Sequence, residues 1–173
     1  MKKSLTKTRR IAFVGLVSSL ALLLSYVEFL LPPVFVAVPG IKIGLPNVVI
    51  LYVLYALGLK YAALVSFVRI VISSLLFGTV MTFAYSVAGA ILSLLLMALL
   101  KKIDKFSEVG VSVAGGIAHN IGQVLVAMVL LDTPQIAFYL LVLSVTGTIA
   151  GIFVGLCGAF VLKRLPIERL WRM

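Results

Sequence analysis

Residues 11–31 read IAFVGLVSSLALLLSYVEFLL, an almost uninterrupted apolar run that follows the basic stretch MKKSLTKTRR at 1–10. A helix needs about 20 apolar residues to cross the hydrocarbon core of a bilayer. A secretory signal has a similar charged start, but its apolar region covers only about 7–15 residues and leads to a small-residue cleavage site. Residues 11–31 are longer and no such site follows, so the run reads as a retained membrane helix. Pro32 and Pro33 end it, because proline lacks an amide donor and disfavours helix in the residue before it.

Beyond the prolines, VFVAVPGIKIGLPN (34–47) is irregular yet apolar. The second helix is predicted over 46–59, with Pro46 suited to a first helical turn. It reaches only about 21 Å at 1.5 Å per residue, short of a full crossing. Residues 32–46 are therefore expected to dip into the protein, where backbone amides at membrane depth need protein or a water-lined cavity to satisfy them. Further helices are predicted over 61–77, 80–100, 109–131 and 136–162. Gly78 and Thr79, the polar loop 101–108 and the Asp132–Gln135 turn separate them.

The whole chain fits this pattern. Its 173 residues are 63% hydrophobic and only 12% charged, with a mean hydropathy of +1.27. Soluble domains carry roughly 45–50% apolar and about 25% charged residues, and a disordered chain carries fewer apolar residues still. The reading is an all-α integral membrane protein with six transmembrane helices and both termini cytoplasmic. A basic leader occupies 1–10, the membrane domain 11–162 and a basic tail 163–173.

Threaded with the amino terminus inside, 13 of the 15 Lys and Arg residues fall on the cytoplasmic side. They are Lys2, Lys3, Lys7, Arg9 and Arg10 in the leader, then Lys60, Lys101, Lys102 and Lys105, and finally Lys163, Arg164, Arg169 and Arg172. Only Lys42 lies outside, and Arg69 falls within a span. The net charge of +10 is thus a topology signal of the positive-inside kind, with attraction to anionic lipid. Nucleic acid is not the expected partner. Cys157, the single cysteine, sits in an apolar run as a packing residue, and one histidine without ligand-spaced partners gives no metal site.

A few polar groups in the apolar background need a reason. An arginine at mid-helix costs about 2.5–3.5 kcal/mol on insertion scales and should face the bundle interior or water. Arg69 and His119 lie about 12 and 15 Å from the inner ends of their helices by helical rise, in nearly the same layer. Ser66 and Ser73 share the face of Arg69. Gly115, His119, Gly122 and Gln123 follow the i, i+4, i+7, i+8 pattern of one face, beside a stripe of Gly116 and Asn120.

Two readings stand for the Gly115–Gln123 face: a glycine-lined helix contact with interhelical hydrogen bonds, or the wall of a binding cavity between the third and fifth helices. Glu28 pairs with Lys42 or Arg69, or reaches the headgroup zone. Phe77, Phe83 and Tyr85 stand where they would cover an apolar ligand or form an interfacial belt. With Lys42 counted, the residual positive charge favours an anionic or polarised ligand.

For catalysis the chain offers little. Asp104 and Asp132 lie in opposite loops, no two carboxylates share a helical face, and there is no aspartate cluster to hold Mg²⁺ against a diphosphate. Neither a P-loop nor a GxSxG motif is present. No enzymatic activity and no cofactor are expected, and any ATP-driven step needs a separate ATPase.

PGIKIGLPN (39–47), LGLKYAALVSFVRIVISSLLFG (57–78), YSVAGAILSLLLMALLKK (85–102) and GVSVAGGIAHNIGQVLVA (110–127) resemble the Gx transporter family, also called heptaprenyl diphosphate synthase component I. The resemblance covers about residues 10–165 and is most specific around Asn47, Arg69 and His119–Gln123. It implies likeness to the S components of energy-coupling factor transporters, six-helix proteins of the bacterial cell membrane that capture a scarce nutrient. Such components dock on a transmembrane coupling subunit driven by two ATPases, through an Ala-x-x-x-Ala face on the first helix. Ala12, Gly15 and Ser19 offer a small-residue analogue of that face. Packing within the monomer or dimerisation is the other use of such a stripe.

The leading expectation is a membrane-embedded capture protein for a small anionic or amphipathic ligand, with an isoprenoid or quinone precursor as the link the resemblance suggests. Glu28, Lys42, Asn47, Arg69, His119, Asn120 and Gln123 form its binding set, and residues 32–46 gate access. The alternatives are a non-catalytic membrane subunit of a polyprenyl diphosphate synthase, beside a soluble catalytic partner, or a component of a quinone-linked extracellular electron-transfer assembly.

Overall fold

The computed structural model describes residues 7–31 and 43–165. Lys42, residues 32–42 of the expected gate, residues 1–6 of the leader and residues 166–173 of the tail lie outside the described residues. The described chain is helical: α1 Lys7–Leu30, α2 Leu45–Ala56, α3 Leu59–Phe77, α4 Val80–Ile103, α5 Glu108–Leu130, a 3₁₀ turn Pro134–Phe138, and α6 Tyr139–Arg164. Five of these stretches are long and apolar enough to cross a membrane, while α2 is a shorter apolar helix.

Local chemistry sets the helix ends. The second helix stops at Ala56, earlier than the sequence suggested, because Gly58 takes φ +92°, a conformation open to few residues but glycine. Thr79 accepts from the Thr82 amide at 3.2 Å, and Thr82 Oγ1 accepts from the Thr79 amide at 2.7 Å, so a two-residue connection suffices before α4. The fourth helix runs on to Ile103, through Lys101 and Lys102, whose charges suit a helix C-terminus. Ser107 caps α5 by accepting from the Gly110 amide at 3.2 Å. Pro134 opens a 3₁₀ turn, so α6 begins at Tyr139 and not at 136.

The helices close a ring in the order α1, α3, α4, α5, α6, α2, and α2 also touches α3. Helix α2 is the most enclosed member of the ring. It is apolar on every side, as a helix enclosed by protein should be, and Ile50, Leu51, Val53 and Leu54 are buried. The five long helices instead turn large apolar side chains outward, such as Leu75 at 81% and Val80 at 85% exposed. So much contiguous apolar surface is untenable in water and suited to lipid.

Three long-range hydrogen bonds, two of them from basic residues, join the helices at one end of the ring. Arg10 Nη1 donates to the Tyr61 hydroxyl at 3.5 Å, Tyr52 donates to the Leu165 carbonyl at 3.1 Å, and Lys101 Nζ donates to the Leu54 carbonyl at 2.7 Å. The last of these satisfies a carbonyl at the C-terminus of α2 that has no partner within its own helix. At the opposite end, Phe77 stacks on Phe29 at 4.9 Å between centroids, beside Tyr26. Phe77 therefore joins α3 to α1 and does not cover a cavity.

Glycine sets the closest contacts. On α6, Gly147, Gly151 and Gly155 recur every four residues against α5. A Cβ at Gly151 would lie 2.6 Å from the Val113 Cα, and one at Gly155 would lie 2.7 Å from the Val109 Cα. Gly151→Ala should destabilise the bundle by about 1–3 kcal/mol, since backbone must shift to admit the methyl group. Gly15 has open space around it, so Gly15→Ala should melt no lower than wild type. Thermal unfolding in detergent distinguishes the two; equal melting would refute the close packing of α5 on α6.

Candidate functional site

Inside the ring lies a cavity of about 110 Å³ to which all six helices contribute. It has room for several waters or a small molecule. The structure brings Glu28, Asn47, Arg69, His119, Asn120 and Gln123 to its wall. Arg69 and His119 stand ten and eleven residues into α3 and α5, about 15 and 16.5 Å by helical rise. The hollow expected between the third and fifth helices is thus lined by the whole ring, with α2, α4 and α6 completing its wall.

Arg69 is deep in the bundle, and its Nε is sealed from solvent without a hydrogen-bond partner among the described residues. Glu28 exerts the nearby opposite charge. Its carboxylate accepts a hydrogen bond from the Gly44 amide, which ties the start of α2 to α1. Gly44 holds φ +84°, and Asn47 follows in the first turn. Glu28 therefore makes its direct contact with backbone, and it offsets the charge of Arg69. The described wall carries one arginine and one glutamate together with His119.

His119 packs against α4 where Gly89 leaves room: a Cβ at Gly89 would lie 2.8 Å from its Cε1. Asn120 is differently engaged. Its Nδ2 donates to the Leu143 carbonyl of α6, so the helix-contact alternative describes that amide group. Ala12, Gly15 and Ser19 lie on the exposed side of α1, with the Ser19 hydroxyl returned to the Gly15 carbonyl at 3.0 Å. Packing inside the monomer is therefore not what that stripe does.

Serines complete the wall: Ser66, already placed on the face of Arg69, and Ser86, Ser93 and Ser112, which sequence reasoning left out. They line the cavity from α3, α4 and α5, and among the described residues their hydroxyls have no hydrogen-bond partner. Some serines elsewhere in the bundle bond back to their own helix, as membrane serines often do, while among the described residues Ser18, Ser74 and Ser144 do not. Ser25 reaches the Ala21 carbonyl at 2.9 Å, and Ser73 reaches that of Ile70 at 3.2 Å. Serine at helical spacing looks the same in either case. Among the described residues no three His, Cys, Asp or Glu side chains gather to hold a metal ion.

The fold and cavity define a small, multi-pass, all-helical membrane protein with a polar interior. Over residues 17–161 it matches the family described as heptaprenyl diphosphate synthase component I, and the chain belongs to that family. No curated protein and no solved structure gives a significant match.

Two substitutions probe this geometry. Gly89→Ala should displace the chain's only imidazole and change its NMR signals. Gly115→Ala meets the flexible end of Met97 and should leave them nearly in place. Unchanged His119 signals in Gly89→Ala would refute the contact. Separately, Glu28→Ala should speed amide exchange at Gly44 by about tenfold, the loss of one hydrogen bond to a charged group, while Glu28→Gln, which keeps an acceptor, should speed it less.

Proposed function

We propose that this chain is a non-enzymatic capture protein of the S-component type, crossing a bacterial cell membrane with both termini cytoplasmic. The single observation that carries the reading is the partly open cavity between the helices, with Arg69 and several other polar side chains in its wall. An arginine in a bilayer is costly and marks a ligand or ion pathway by default. In this reading Arg69, His119 and Gln123 hold the polar end of a small anionic or amphipathic ligand, and Asn47 and Glu28 shape the approach. The gathering of basic residues at one end supports a cytoplasmic placement of that end. Energy comes from a separate coupling subunit and its ATPases, for which the exposed Ala12, Gly15 and Ser19 face is the candidate dock.

The family's description favours a second reading, a non-catalytic membrane subunit beside the catalytic subunit of a polyprenyl diphosphate synthase. Its distinguishing outcome is co-purification with a soluble synthase.

Native mass spectrometry of the gently solubilised protein separates the readings. Capture predicts a small molecule that accompanies the wild type and is retained about tenfold less or worse by Arg69→Ala and His119→Ala, the loss of a charged hydrogen bond. Retention untouched by both substitutions would remove the cavity from the function.

A further inference from the structure

The cavity's hydroxyl groups lead to a subsite and to a class of ligand. Ser66, Ser93 and Ser112 are only 3%, 8% and 4% exposed. They come from three different helices, line one cavity, and have no hydrogen-bond partner among the described residues. Their oxygens are not sealed from solvent and unpartnered as Arg69 Nε is, so they open onto the hollow, although each could have turned back to its own helix as Ser25 and Ser73 do. Ser18, Ser74 and Ser144 are likewise without a partner among the described residues, but Ser66, Ser93 and Ser112 are buried and share one hollow, where they form a set of donors open to an acceptor.

Charge alone does not hold an anion here, because Glu28 offsets Arg69. Hydroxyl donors in the same cavity as the guanidinium supply what the net charge lacks, as multiple fixed donors do for oxyanions elsewhere. The apolar part of the described wall is aliphatic, with Ile50, Leu51, Leu94, Met97 and Val154 facing the same space. We infer that Ser66, Ser93 and Ser112 form a head-group subsite in the cavity that Arg69 also lines, and that the cavity takes a compact aliphatic molecule bearing one oxyanion group, carboxylate or phosphate. This deepens the capture reading and rests on it.

The test is calorimetry on the full chain in detergent with four probes: 4-methylpentanoate, isopentyl phosphate, phenyl phosphate and leucine. Binding of either aliphatic oxyanion, weakened about tenfold or more by the combined S66A, S93A and S112A substitutions and unchanged by S25A, supports the subsite. The difference between carboxylate and phosphate arms identifies the head group. Binding that Arg69→Ala abolishes but the serine substitutions leave intact overturns the subsite and keeps the capture reading. Phenyl phosphate binding as tightly as isopentyl phosphate overturns the aliphatic assignment. Leucine binding more tightly than 4-methylpentanoate overturns the single-charge assignment, since Glu28 would then hold an ammonium group. If none of the probes binds while mass spectrometry still finds a retained molecule, the ligand class is wrong and the capture reading survives. Should the triple variant fail to fold, S93A alone gives the same readout, with its unliganded melting compared against wild type.

Discussion

Close approach of α5 to α4 and α6 through glycine places His119, Asn120 and Gln123 at the wall of the interior cavity. Gly151 and Gly155 let α6 reach the α5 backbone, and Gly122 brings α5 against the Ala88 carbonyl of α4. In lipid there is no hydrophobic gain from joining two helices, so tight van der Waals contact and interhelical hydrogen bonds must hold them. The Asn120 amide adds one such bond, to Leu143. Held between its neighbours, α5 can turn His119 and Gln123 only toward the centre.

The short α2 then decides the shape of that centre. Its twelve residues span about 18 Å, so it fills the basic half of the ring with Leu51, Val53 and Leu54 and leaves space beyond its first turn. Both of its ends are tied by side chains from other helices. Lys101 satisfies a carbonyl at its C-terminus, and Glu28 accepts the Gly44 amide at its start. Because irregular backbone inside a membrane protein must find partners, these contacts are what make a short interior helix tolerable.

The polar wall has two kinds of group that a sequence does not separate. Glu28 and Asn120 make structural bonds to backbone, while Arg69 Nε and the serine hydroxyls of the wall have no such partner among the described residues. The first kind stabilises the ring and the second leaves it open to a ligand. That division gives the capture reading its physical content and narrows the chemistry that the cavity can accept.

Hydropathy and breakers alone determined the helical membrane architecture, because a bilayer admits few backbone solutions and long apolar runs announce them. Mid-helix Arg69, at a depth near that of His119, was legible for the same reason: a charge in lipid must point inward. The bonding of Asn120, the tie from Glu28 to Gly44 and the open hydroxyls of Ser66, Ser93 and Ser112 were not legible. Each depends on which atom of a neighbouring helix lies within about 3 Å, and periodicity specifies a face of a helix without its partner. Only the tertiary packing decided which polar side chains bond to a neighbouring helix and which are left without a partner among the described residues.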